Sequence, residues 1–105
     1  MAQFDVHRNA DKDQAKLFPF LLDVQHPLHR QFESRVVIPF TLPENLGRHQ
    51  LPRLNPVVNI NGKDYVLLTQ QLAAVPLNAL GPKTITAAPR RDAIIAALDL
   101  LINGI

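Results

Sequence analysis

The sequence contains no cysteine, which excludes a disulfide scaffold, thiolate chemistry and metal sites built on cysteine. Tryptophan is also absent and aromatic residues make up only 6% of the chain, so a surface for stacking nucleic-acid bases is not expected. The 11 basic and 9 acidic residues give a net charge of only +2, too weak and scattered to indicate nucleic-acid binding. No hydrophobic run approaches the roughly 20 residues that span a bilayer.

What is present fits one folded domain over residues 1–105. Hydrophobic residues make up 47% of the chain and charged residues 19%, a composition typical of globular proteins. A chain of this size buries a limited share of its surface, so dimerisation would add useful burial. The N-terminus has no basic segment followed by an apolar one, and we therefore expect a cytoplasmic protein.

Nine prolines against four glycines favour short strands and rigid turns over long helices. Alternating or β-branched patterns predict strands at residues 3–7, 17–24, 35–38, 56–60, 65–69 and 72–76. Pro19 suggests an edge position or a bulge for the second strand. Asn61-Gly62 predicts a hairpin between the fourth and fifth strands, because these residues readily adopt positive φ angles. Leu80-Gly81-Pro82 predicts a turn, and residues 44–56 a long connection.

The C-terminal segment has a different periodicity. Apolar residues recur at helical spacing from Arg91 onward, namely Ile94, Ile95, Leu98, Leu101, Ile102 and Ile105. Pro89 and Asp92 favour helix initiation, and Gly104 suits the position just after the helix end. Alanines and Leu100 fill the remaining faces, so this helix should be covered on more than one side, by a second subunit or a partner. Asp99 interrupts the pattern and either faces solvent or borders a binding surface.

Few residues could carry chemistry. Asp23, His26 and His29 could ligate a metal, but Pro27 keeps the histidines off a shared helix face and no fourth ligand is evident. Ser34 is the only serine, and no glycine-rich phosphate loop or dinucleotide motif is present. We predict no metal, no cofactor and no catalytic residues.

Several segments occur in the order and spacing of a known family. They are Met-Ala-Gln-Phe at residues 1–4, Leu-Asp-Val-Gln at 22–25, Arg-Val-Val-Ile-Pro at 35–39, Pro-Val-Val-Asn-Ile at 56–60, residues 69–76, and Gly-Ile at 104–105. Together they resemble the CcdB family of toxins from toxin–antitoxin pairs, over essentially the whole chain.

The resemblance implies an SH3-like β-barrel with one C-terminal helix, assembled as a homodimer. It implies a bacterial toxin that binds the A subunit of DNA gyrase and traps the enzyme on cleaved DNA. A CcdA-type antitoxin would neutralise it, through a disordered C-terminal segment that folds along the toxin surface.

Carried over by position, the gyrase contact is expected in the loop after the second strand and at the chain end. These positions are Leu28, His29, Asp99, Ile102, Asn103, Gly104 and Ile105. The antitoxin contact is expected at Arg8, Asn9, Asp11, Asp13, Thr41, Leu42, Pro43 and Leu46. The best-known family member has an aromatic residue at the position of Asn103 and an amide at that of Asp99.

Two other functions remain open. An endoribonuclease toxin on the same barrel would need a basic groove with an acid–base pair, drawn from Arg30, Arg35 and His29. The scattered charge makes this weaker than gyrase binding. A non-toxic relative that still binds antitoxin requires the same fold and dimer, so the sequence does not separate it from a toxin.

Overall fold

The computed structural model describes residues 2–26 and 33–104. This part of the chain forms seven strands and one α-helix: β1 Asp5–Asn9, β2 Phe20–Asp23, β3 Ser34–Thr41, β4 Val57–Ile60, β5 Lys63–Leu67, β6 Ala73–Pro76, β7 Leu80–Thr86 and α1 Arg91–Asn103. All strand pairs are antiparallel, in the order β4-β5-β3-β2-β1-β7, and β6 also pairs with β3. The sheet curls into a half-barrel, so the prediction of a mainly β chain with one C-terminal helix is confirmed.

Strand β3 changes partner along its length. Its first half pairs with β6, and Phe40 and Thr41 pair with β5. Pro39 lies between the two pairings, and its carbonyl accepts a hydrogen bond from the Leu68 N–H at 2.9 Å. Proline has no N–H to donate, so it interrupts the hydrogen bonding of the strand least at the point where the partner strand changes.

The predicted hairpin is confirmed. Asn61 and Gly62 both have positive φ, at 54° and 91°, between β4 and β5, as a two-residue type I′ turn requires. The Asn59 side chain supports this turn, since its Oδ1 accepts the Gly62 N–H at 3.0 Å and its Nδ2 donates to Asp64 at 3.1 Å.

Two predictions near prolines are wrong. Residues 80–82 are not a turn but the start of β7, which pairs with β1 at the edge of the sheet, where a proline is tolerated. Strand β2 lies between β1 and β3 rather than at an edge, and it begins directly after Pro19. The Pro19 carbonyl accepts the Asn9 N–H at 3.0 Å, so the proline ends the preceding loop without interrupting the ladder.

The hydrophobic core lies between one face of the sheet and α1. Its buried members are Phe4, Val6, Phe20, Leu22, Ile38, Phe40, Val58, Ile60, Leu67, Ala87 and Ile94. The helix ends as predicted: Gly104 has a φ of 74°, and its N–H donates to the Leu100 carbonyl at 2.9 Å. In the described part of the chain, no helix is both long and apolar enough to cross a membrane.

Candidate functional site

The end of α1 presents an exposed surface made of Asp99, Ile102, Asn103 and Gly104, here called the C-terminal face. Ile94 and Ala97 on the opposite side of the helix are buried in the domain. Ile102 is 73% exposed, more than any other large hydrophobic residue described. The domain therefore covers one side of this apolar helix and leaves the other side open.

Asp99 faces solvent and makes no ion pair with the residues that the structure describes. It lies toward the carboxyl end of α1, and the last turn of the helix contains no basic residue. Its carboxylate lies just before the last turn and gains nothing from the helix dipole, which acts within that turn and there disfavours negative charge. Asp99 is thus not explained by the stability of the helix.

The other predicted gyrase contacts, Leu28, His29 and Ile105, lie outside the described residues. What is described is the start of their loop, where the Asp23 carboxylate accepts the Gln25 N–H at 3.0 Å. The side-chain carbonyl of Gln25 then accepts the Val36 N–H at 3.0 Å, which ties this segment to β3.

A second surface runs across the face of the sheet that is turned away from the core. Three adjoining clefts of about 420, 200 and 130 Å³ form it. The first two share Gln14, Leu21 and Val75, and the last two share Phe18 and Gln71. We call this continuous depression the sheet groove.

The floor of the sheet groove follows from strand alternation. Phe20 in β2 and Phe40 in β3 point into the core. Because side chains alternate along a strand, their neighbours Leu21 and Pro39, which are paired across the two strands, point to the opposite face. Val37 and Val75 continue this apolar floor. The rims are formed by residues 9–18 and by the chain around β6.

The groove contains residues from both of the segments that the sequence analysis assigned to the antitoxin contact. Asn9 and Asp11 line one end, whereas Thr41 and Leu46 line the other. The remaining predicted antitoxin positions, Arg8, Asp13, Leu42 and Pro43, are not among the lining residues of these clefts. The Arg8 guanidinium instead lies 5.7 Å from the ring centroid of Phe20, a core residue, and hence on the opposite face of the sheet.

Side-chain hydrogen bonds hold both ends of the groove. The Asn9 amide donates to the Phe18 carbonyl at 3.0 Å and its Oδ1 accepts the Asp11 N–H at 3.0 Å, which closes the loop on itself. At the other end the Thr41 hydroxyl donates to the Leu17 carbonyl at 2.8 Å and accepts from the Asn45 amide at 2.9 Å. These bonds tie down the rim formed by residues 9–18 at both ends of the groove, and the other rim is held by the pairing of β6 with β3.

Sequence analysis missed most of the floor. Leu21 and Val37 were predicted as strand residues. Their strands have apolar residues on both faces, so the local pattern does not show which face lines the groove and which face packs in the core. The contribution of Val75 depends on the pairing of β6 with the first half of β3, and this contact between distant segments has no local signature.

Next to the groove, the same face of the sheet carries a buried charged pair. Arg35 Nε lies 3.8 Å from Asp23 Oδ2, and neither side chain is more than 2% exposed. Burial raises the pKa of the Asp23 carboxyl, although the hydrogen bond from Gln25 and the charges of Arg35 and His7 oppose that shift. Arg35 is therefore enclosed within the domain and does not form part of a basic surface for RNA.

The remaining predictions about chemistry fall partly outside the described residues, since His29 and Arg30 belong to residues 27–32. Asp23 is buried whereas His26 is exposed. Within residues 2–26 and 33–104, no group of three or more histidine, aspartate or glutamate side chains could hold a metal ion.

Comparison with protein-family models matches residues 3–104 to the family described as CcdB protein. The match includes both strands that carry the charged pair, every residue of the sheet groove and the whole C-terminal face. The chain therefore belongs to the CcdB family, the toxins of toxin–antitoxin pairs.

Proposed function

We propose that this chain poisons DNA gyrase by binding its A subunit through the C-terminal face, so that the enzyme is trapped on cleaved DNA. The observation that carries the proposal is the cluster of Asp99, Ile102, Asn103 and Gly104 at one exposed helix end. An isoleucine that is 73% exposed gains little from burial in an isolated domain, and the Asp99 carboxylate has no ion-pair partner among the described residues. Contact with a partner accounts for both.

According to this proposal, the chain is a binding protein and not an enzyme. It needs no cofactor, and its target places it in the bacterial cytoplasm. A second copy of the chain would cover part of the open side of α1 and so form the homodimer. A specific dimer contact buries on the order of 800 Å² on each subunit. This area is larger than the surface of a single exposed isoleucine, so neighbouring residues must take part.

The sheet groove is proposed as the site of a CcdA-type antitoxin. An extended segment could lie along its apolar floor while its polar groups meet Asn9 and Asp11 at one end and Thr41 at the other. Fixed rims favour such binding, because the toxin then loses little conformational freedom and only the antitoxin segment has to become ordered.

Two hosts that differ only in gyrase test the toxin proposal. We expect induced expression to arrest growth in a host with sensitive gyrase and to be harmless in one with a resistant A subunit. Arrest in both hosts, with cleavage of cellular RNA, would support the endoribonuclease instead. Growth in both hosts, with antitoxin binding retained, would identify a non-toxic relative. The burial of Arg35 already weighs against the endoribonuclease.

A further inference from the structure

A third surface lies between the connection at residues 50–57 and the first half of α1. It is a cleft of about 430 Å³ lined by Gln50, Pro52, Arg53, Asn55, Pro56, Val57, Arg90, Ala93 and Ala96. We call it the basic cleft. Its described lining residues are different from those of the sheet groove and of the C-terminal face.

The wall of the basic cleft is held in place from beneath. Asn55 is fully buried, and its amide donates to the Leu67 carbonyl at 3.0 Å and to the Gln70 side chain at 2.7 Å. Its Oδ1 accepts the Leu51 N–H at 3.1 Å, which closes the intervening turn. A segment that the sequence analysis predicted only as a long connection is thus a fixed support for Arg53.

The charge of the cleft has one sign. Arg53 and Arg90 line it, and no aspartate or glutamate is among the described residues that do so. The Arg90 guanidinium donates to the Val57 carbonyl at 3.2 Å, a neutral acceptor that leaves its charge uncompensated. Arg53 makes no hydrogen bond or ion pair with the described part of the chain. Two guanidinium groups without carboxylate partners favour an anionic ligand.

The rest of the lining selects among anionic ligands. Pro52, Pro56, Val57, Ala93 and Ala96 provide small apolar surfaces, which suit an aliphatic side chain. None of the described residues that line the cleft is aromatic, so they give the bases of a nucleic acid no surface on which to stack. We propose that the basic cleft binds an acidic polypeptide segment, with an aliphatic side chain on the apolar floor and carboxylates on Arg53 and Arg90.

Fluorescence anisotropy with a short labelled peptide that alternates glutamate and valine tests this proposal on the full-length chain. The comparison ligands are the same peptide with glutamine in place of glutamate, and a single-stranded oligonucleotide of equal charge. Arg53→Glu is the informative variant, because Arg53 has no hydrogen bond or ion pair with any other described residue. Lys63→Glu is its matched control, since this exposed cation lies in β5 at the far end of the hairpin from Val57.

We expect the acidic peptide to bind and the glutamine peptide not to bind. Arg53→Glu should weaken binding by roughly tenfold or more, whereas Lys63→Glu should leave it nearly unchanged. Equal losses in both variants would mean general attraction between charges and would overturn the proposal, as would unchanged binding by a folded Arg53→Glu protein. Tighter binding of the oligonucleotide would assign the cleft to nucleic acid. None of these outcomes depends on gyrase binding, which uses a different surface.

Discussion

Arg35 Nε and Asp23 Oδ2 lie 3.8 Å apart beneath the face of the sheet opposite the core, and both side chains are almost completely buried. This distance is too long for a hydrogen bond, and Arg35 Nε and Nη1 have no hydrogen-bond partner among the described residues. The pair is therefore held by charge at a position where neither group is well solvated. A buried pair of this kind contributes little net stability but is costly to break from one side.

The charged pair predicts an unusual pH dependence. Burial raises the Asp23 pKa above its ordinary value of 3.8, so the folded chain holds this proton more tightly than the unfolded chain does. The stabilisation that comes from this group is then complete below the unfolded pKa and is lost as pH rises through the folded pKa. Asp23→Asn removes the titration while keeping an acceptor for the Gln25 N–H.

Urea unfolding of the parent and of Asp23→Asn across a pH series checks this. The unfolding free energy of the parent, minus that of the variant, should fall as pH rises from acid to neutral. A difference that instead grows with pH would show that Arg35 outweighs burial and lowers the Asp23 pKa.

Gly104 offers a test of the C-terminal face with a matched control. Its φ of 74° is in the left-handed region, and a Cβ there would meet nothing within 4 Å. Gly104→Glu should therefore cost only about 1–2 kcal/mol of stability, yet abolish binding to a gyrase A-subunit fragment by placing bulk and charge in the contact. Gly62→Glu creates the same strain and charge in the β4–β5 turn, where φ is 91° and space is also open.

Titration of both glycine variants against the A-subunit fragment, with circular dichroism to confirm folding, separates the two effects. Gly62→Glu should lose comparable stability and bind normally. If a folded Gly104→Glu protein binds as tightly as the parent, the gyrase contact does not run through this end of the chain.

The sequence predicted correctly those elements that depend on the residues of one short segment. The Asn61-Gly62 turn and the Gly104 helix end each depend on backbone angles that few residues adopt, and both were found. The first strand was placed too early, because Phe4 has a φ of 71° and extended structure begins only at Asp5. The alternation of apolar and polar residues continues through Phe4 and does not reveal that angle.

The missed features depend on contacts between distant segments. β7 contains Gly81 and Pro82, which usually mark turns, but Gly81 is needed because a Cβ there would lie 2.8 Å from the Arg8 carbonyl oxygen of β1. Asp23 was considered as a metal ligand and Arg35 as an RNA contact, and neither pattern indicated that the two are buried together. The two ends of the sheet groove were predicted from resemblance alone, without the floor that joins them.

Ile102 tests the proposed homodimer, because on our proposal the dimer contact and the gyrase contact meet at the C-terminal face. Because its side chain is 73% exposed, Ile102→Asp should leave the stability of the single domain nearly unchanged while weakening self-association. Sedimentation equilibrium should show the parent at twice the 11.7 kDa chain mass and the variant shifted toward the single chain. Leu51→Asp, at a residue that is 57% exposed outside the helix, should remain dimeric. A parent that sediments only as a single chain at micromolar concentration contradicts the proposal.

Leu46 tests the sheet groove. It is half-buried and lines the end of the groove beside Thr41, so Leu46→Glu should place a charge where an apolar antitoxin side chain would lie. Calorimetric titration with the C-terminal segment of the cognate antitoxin should show roughly tenfold weaker binding or more. Leu51→Glu, outside the groove, is the control and should bind like the parent. Equal affinity of all three proteins would place the antitoxin elsewhere.

Asn103 provides the last test, since it occupies a position where the resemblance suggests an aromatic anchor. Asn103 is exposed on the C-terminal face, so Asn103→Trp should fit without repacking and should strengthen binding to the gyrase A-subunit fragment by roughly tenfold. The parent has no tryptophan, so the new side chain also gives a fluorescence signal of its own. Its emission should shift to shorter wavelength as the fragment covers it. Lys63→Trp, at an exposed position in the β4–β5 hairpin, controls for a tryptophan placed elsewhere and should show neither tighter binding nor a shift. If Asn103→Trp binds no more tightly and its emission stays that of an exposed indole, this side chain does not enter the gyrase contact.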